Sequence, residues 1–158
     1  MVLLETYYND IKRVRALYPL ARFISVSREL PHKKDGTPYN LCEERDIILV
    51  PSRKLARAYK NGKITWPEYK LLFNDELSTD EAQGAMWIIA QRAVKQDICL
   101  VCFEGPKEEE RCHRFLLLDK ISHIAKNNGL YLQVEKTGNF QTHKNTMQKQ
   151  SVPQLFDF

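Results

Sequence analysis

The stretch Leu100–Leu118, LVCFEGPKEEERCHRFLLL, decides how the rest of this chain is read. It opens as an apolar run, breaks at Glu104-Gly105-Pro106, and turns apolar again after Cys112-His113-Arg114. The pattern is that of a strand, a loop and a helix. In an open α/β fold, a parallel strand feeding a helix carries its loop to the sheet edge where ligands bind. Two reactive or ionisable clusters fall there: Cys102 beside Glu104, and Cys112-His113-Arg114 at the helix start.

Downstream, the helix runs from Cys112 to Lys126, Asn127-Asn128-Gly129 closes it, and Leu130–Val134 (LYLQV) follows as a strand. Upstream, Asp97–Phe103 is the strand that feeds the loop. Before it, Ser78-Thr79-Asp80-Glu81 offers a capping box to a helix carrying Ala82, Ala85, Met86 and Ile89 on one face. Thr65-Trp66-Pro67-Glu68 offers another, with proline in the first turn, where its missing N–H costs nothing. Ser52 reads as the N-cap of a helix that starts with Arg53-Lys54 and closes at Asn61-Gly62. Asp46–Val50 (DIILV) reads as a buried strand, and Arg22–Ser27 (RFISVS) as the first one. Between them lies a long polar connection, Pro31–Arg45, which is either a lid over the pocket or a surface loop. At the start, Leu3, Tyr7, Ile11, Val14 and Tyr18 recur every three or four residues, as in an amphipathic helix ended by Pro19.

The expected architecture is α/β: a mostly parallel sheet of about four strands flanked by helices, in a single domain. That domain spans residues 1–135, and residues 136–158, rich in Asn, Gln, Thr and Lys, form a flexible tail. The 158 residues suffice for a real core, and 43% hydrophobic with 28% charged residues argues against global disorder. A net charge of +4 mildly favours a polyanionic partner. No apolar run approaches the roughly 20 residues that cross a bilayer, so no membrane association is expected. The opening MVLLETYYND has acids where a signal peptide needs bases, so a cytoplasmic chain with thiols rather than disulfides is expected.

Ser27/Arg28, Ser52/Arg53 and Glu104 would all leave the carboxyl ends of strands and converge with the Cys112 helix start. Helix N-terminal amides favour anions, and Arg114 could grip a phosphate or carboxylate there. The same position could lower the pKa of Cys112 and make it a nucleophile with His113 as base, or Cys112 could simply pack the helix start. Adjacent helical side chains diverge by about 100 degrees, so Cys112 and His113 need not face one ligand. Glu104 is the other acid/base candidate, and Arg28 or Arg114 could pair with it. Cys99 and Cys102 with Cys112 and His113 have the ligand types of a zinc site. Residues three apart on a strand face opposite ways, however, so no metal site and no cofactor is expected. A cysteine-phosphatase loop fails as well, because Glu108 stands where its arginine would fall after Cys102.

FISVSRELP, then VPSRKLARAYKNGKITWPEYKLLFNDEL, then the cysteine-glutamate strand end and ERCHRFLL resemble the domain of unknown function 488 family over Arg22–Ile121. The resemblance implies a compact α/β domain and brings no established reaction. A very acidic loop before Cys112-His113-Arg114 and a long C-terminal tail depart from the family pattern.

The tail ends in Gln154-Leu155-Phe156-Asp157-Phe158, similar to peptides that dock polymerases and repair factors on sliding clamps. Leu155, Phe156 and Phe158 would plug a hydrophobic pocket and Gln154 would bind its rim, or these residues would fold back on the domain itself. The basic tether suits a position near DNA. Three functions follow. One is a DNA-metabolism protein hydrolysing a nucleotide or nucleobase while docked on a clamp. The second is a non-catalytic protein that binds nucleic acid or a replication partner. The third is a small-molecule enzyme unrelated to DNA. In the first, Glu104, His113 and Cys112 are the catalytic candidates, and Arg28, Ser52 and Arg114 hold the anion.

Overall fold

Leu3 and Leu4 are both fully buried although they are neighbours in sequence. Burial on both sides is the mark of a strand inside a covered parallel sheet, not of a helix with one apolar stripe. The computed structural model, which describes residues 1–103 and 111–137, accordingly begins with β1 (Val2–Tyr7). A single 3-10 turn (Tyr8–Asp10) leads into α1 (Ile11–Leu17), so the N-terminal helix expected from Leu3 onward covers only its second half. Leu3 and Tyr7 obey a helical spacing, but the Val-Leu-Leu run between two flanking strands decides the outcome.

β2 (Arg22–Ser25) follows, then β3, only two residues long (Glu44–Arg45). Residues 46–50, expected to be a strand, form a turn instead: Asp46 Oδ1 accepts from Ile48 N at 3.0 Å. Ile47 and Ile48 stay exposed while Leu49 and Val50 are buried, so the apolar run does not line one strand. Three helices come next: α2 (Arg53–Lys60), α3 (Trp66–Glu76) and α4 (Asp80–Ala93). Ser52 caps α2 by accepting from Leu55 N, and Thr65 and Glu68 form the expected capping box on α3. On α4 the cap is Thr79, which accepts from Ala82 N, so the helix starts one residue later than the expected box. The last elements among the described residues are β4 (Ile98–Cys102), α5 (His113–Asn127) and β5 (Gln133–Lys136).

The five strands form one parallel sheet in the order β3-β2-β4-β1-β5. Residues alternate between its faces. Val2, Leu4, Phe23, Cys99 and Val101 pack with Ile11 and Val14 of α1. Leu3, Ile24, Ile98 and Leu100 face the other way, into a core with Leu55, Phe73, Met86, Leu117 and Ile121 from α2 to α5. The described residues thus form a single α/β domain with one α-helix on one face and four on the other. Because the five strands described are parallel, the residues after β2, the end of β4 and the start of α5 gather at one carboxyl edge. No helix among the described residues is long and apolar enough to cross a membrane.

Candidate active site

The alternation along β4 separates its two cysteines. Cys99 points toward α1, whereas Cys102, at the strand end, points to the α5 side. There it meets Cys112, the N-cap residue of α5, with the two Sγ atoms 3.6 Å apart. His113, the first residue of α5, brings Nδ1 to 3.9 Å from the Cys102 sulfur and 3.8 Å from the Cys112 sulfur. Its Nε2 lies 2.7 Å from the Val26 carbonyl oxygen. A carbonyl only accepts, so Nε2 carries the proton, and in the neutral ring the Nδ1 lone pair faces the two sulfurs. The Phe73 and His113 rings meet nearly at right angles, 5.9 Å between centroids, which packs the imidazole against the core.

The hydrogen bond with Cys102, together with complete burial, pushes the Cys112 thiol well above its ordinary range. Both effects disfavour the thiolate, opposite in direction to the lowering expected at a helix N-terminus. The lowered pKa expected from its position is not realised.

Above this cluster opens a cleft of about 710 Å³. Ser27 and Arg28 after β2 line one side, and Phe103, Arg111 and the Cys102, Cys112 and His113 group line its floor. Ser27 Oγ donates to the Glu29 carbonyl at 2.7 Å, and Arg28 donates to the Pro51 carbonyl at 3.0 Å. The opposite wall is α2 and the start of α3. Arg53, Arg57 and Lys60 fall at i, i+4 and i+7, so one exposed helical stripe delivers all three to the cleft. Tyr59, Trp66 and Tyr69 stand beside them. Trp66 and Tyr69 stack at 5.1 Å with 15° between planes, and Tyr59 leans on both. Tyr69 continues inward to Phe73 and so to His113. Arg28, Arg53, Arg57, Lys60 and Arg111 against the single acid Glu29 make the described lining strongly cationic.

The structure therefore places the expected residues in different roles. Arg28, Cys112 and His113 reach the cleft together. Ser52 does not line it, since its hydroxyl caps α2 and its N–H donates to Glu76 at 2.9 Å. Arg114, expected to hold an anion, lies behind the floor. It is fully buried, and its Nε donates to the equally buried Glu5 at 2.6 Å. Glu104 and the terminal Gln154, Leu155, Phe156 and Phe158 lie outside the described residues. Sequence reasoning missed Arg57, Lys60 and the aromatic wall. The basic stripe in RKLARAYK was the available signal, readable once α2 is taken as a helix.

A family model described as the active DUF488-N3 subclade matches residues 15–125. The chain belongs to the DUF488 family. All the described cleft residues lie within the DUF488 match, from Ser27 to His113. β1 and β5, and with them the Glu5 partner of Arg114, lie outside it. Comparison with curated proteins and with solved structures found no match.

Proposed function

We propose that this DUF488 domain binds a phosphorylated, base-bearing ligand, a nucleotide or a stretch of single-stranded DNA, and hydrolyses it in the cleft. The observation that carries this reading is the pairing of a cationic lining with stacked aromatic rings. Arginine and lysine take phosphate, and the half-buried rings of Tyr59 and Trp66 offer aromatic surface beside them to a base. The description of the matched subclade as active favours catalysis over passive binding. The acid/base candidates are His113, whose ring stands at the floor with Nε2 held by the Val26 carbonyl, and Glu104 in the segment that follows Phe103. In the same proposal the C-terminal Gln154-Leu155-Phe156-Asp157-Phe158 docks the protein on a sliding clamp, and the protein works in the cytoplasm in DNA metabolism or repair.

The test is polarisation of labelled single-stranded DNA and of labelled nucleotides, titrated with the native chain and with R57E/K60E over a range of salt. Binding should weaken in the variant, and the dependence of log K on log salt should flatten by about 0.7 for each phosphate that the variant no longer neutralises. Base or phosphate release from bound oligonucleotides is then read by chromatography. Equal binding by both proteins would sink the reading, as would failure to bind any phosphate-bearing ligand.

A further inference from the structure

Cys102 Sγ, Cys112 Sγ and His113 Nδ1 lie within 4.8 Å of one another. We infer that these three atoms are a binding site for a thiophilic divalent metal of the zinc class, with a fourth coordination position open to the cleft. This site stands whether or not the cleft takes a nucleotide; a chain that holds the ion uses both ring nitrogens of His113, which leaves Glu104 as the acid/base candidate of the proposed reaction.

The geometry is the first support. A tetrahedral zinc ion with Zn–S of about 2.3 Å and Zn–N of about 2.0–2.1 Å holds two sulfurs about 3.8 Å apart and each sulfur about 3.6 Å from the nitrogen. The chain presents 3.6 Å between sulfurs and 3.8 and 3.9 Å from sulfur to nitrogen. An ion placed over this triangle needs shifts of only a few tenths of an ångström in its ligands. The second support is the ring orientation. Metal-ligating histidines almost always donate their other N–H to a carbonyl, carboxylate or water, which fixes the tautomer and aims the lone pair. The Val26 carbonyl does this for His113 at 2.7 Å. The third is access. All three residues line the cleft, so the ion's remaining position faces ligand-accessible space. Three protein ligands with one open position is the arrangement of catalytic rather than structural zinc, where a bound water is acidified to near neutrality.

The four-ligand set rejected on sequence grounds is not assembled, because Cys99 is on the other face of the sheet as its spacing implied; the three remaining ligands do meet, against the expectation of no metal site. Cys102 differs from Cys99 in that the chain returns after β4 and brings Cys112 and His113 back to it. Loading exchanges protons for metal in balance: one divalent ion enters, and the Cys102 and Cys112 thiols release their two protons to solvent as both become thiolates. No electron moves, and no oxidant is needed.

The full chain, reduced and stripped with chelator, is titrated with Co²⁺ and then with Zn²⁺. The expected result is tetrahedral cobalt absorption with a sulfur-to-cobalt charge-transfer band that saturates at one ion per chain. Zn²⁺ should bleach the band, and metal uptake should release two protons. C102S and C112S should each lose the charge-transfer band or shrink it by about half, while C42S and C99S should retain it in full. Should C112S fail to fold, thiol protection in the native chain decides: Zn²⁺ should slow a disulfide reagent at Cys102 and Cys112, mapped by mass, and leave Cys42 and Cys99 unchanged. Absence of the band in the reduced native chain overturns the site, and so does a full band in C102S. A Cys102–Cys112 disulfide on air exposure, in a chain whose reduced form takes up no cobalt, also overturns it and makes the pair a redox couple.

Discussion

Replacing Glu5 by glutamine should destabilise this domain more than charge changes at the exposed cleft residues Arg57 and Lys60. Glu5 and Arg114 are both fully buried, and the Arg114 Nε donates to the Glu5 carboxylate at 2.6 Å across the β1–α5 interface. Taking away the carboxylate charge leaves a guanidinium in the core, which cannot shed its proton. Breaking a buried pair from one side costs about 3–5 kcal/mol. For a chain of this size each kcal/mol moves Tm by about 2–4 °C, so Glu5→Gln should melt about 6–20 °C lower. Removing both charges is a different matter, because hydrophobic replacements of similar volume are often neutral or stabilising. Glu5→Leu combined with Arg114→Met should therefore recover most of the loss. Urea unfolding of the native chain, Glu5→Leu, Arg114→Met and the pair, followed by the fluorescence of Trp66 and Trp87, gives all four corners of a cycle, with Glu5→Gln measured beside it. A cost below about 1 kcal/mol for Glu5→Gln, under the range for a buried pair, would refute this account. So would a double variant no better than the worse single one. The recovered double variant also asks a functional question. If it still binds phosphate-bearing ligands, the anion is held by the α2 stripe and Arg28, and Arg114 only anchors α5.

The remaining predictions concern the helices, the acid limb and the chain end. Glu44 accepts from Arg92 and Arg22, which hold its pKa down at about 2 against an ordinary 4.5. Its folded pKa is the lower one, so its stabilisation is complete above pH 4.5 and is lost as pH falls toward 2. Glu44→Gln should flatten that limb of a plot of urea midpoint against pH, by an amount on the order of 1 kcal/mol for so accessible a network. Thr65→Ala removes the α3 cap and should cost about 1 kcal/mol in the same urea assay, with Glu68→Ala adding little once the box is broken. A chain ending at Ser151, titrated calorimetrically against sliding clamps, should lose the binding that the full chain shows. Equal heats from both would remove the clamp from the proposal.

The elements that could be read from the sequence were those with a local chemical signature. Ser52 and Thr65 announce their helices because a hydroxyl must accept the orphan N–H groups of the first turn, and the structure uses both. The ITWPEY and CHR segments carried the family resemblance, and the family match confirms it. Elements that depend on distant partners were misread. β1 looks helical because Leu3, Tyr7 and Ile11 are suitably spaced; only its place between β4 and β5 makes it a strand. Residues 46–50 look like a strand by composition, while the real edge strand, Glu44–Arg45, is charged and too short to show any period. At the cleft, Cys112 and His113 were legible as a pair. Their association with Cys102 is legible only within a four-ligand zinc set, set aside because Cys99 faces the other way; that Cys102 alone still meets them follows from how the chain returns after β4. Arg114 was given a ligand-binding role because the sequence shows its neighbours and not Glu5, more than a hundred residues away.

The position of β1 also bears on how the domain is made. Its partners are β4, where Leu3 pairs with Ile98, and β5, where Leu3 pairs with Val134. On the ribosome β1 emerges long before either neighbour, at a synthesis rate of about 5–20 residues per second. Val2-Leu3-Leu4 therefore has neither strand partner until Ile98–Cys102 has been translated, and lacks the second until Gln133–Lys136. Such late, non-local closure makes folding slow and exposes an apolar strand to other nascent chains in the meantime. Yields from overexpression should accordingly improve when translation is slowed or when a chaperone that shelters extended apolar segments is supplied.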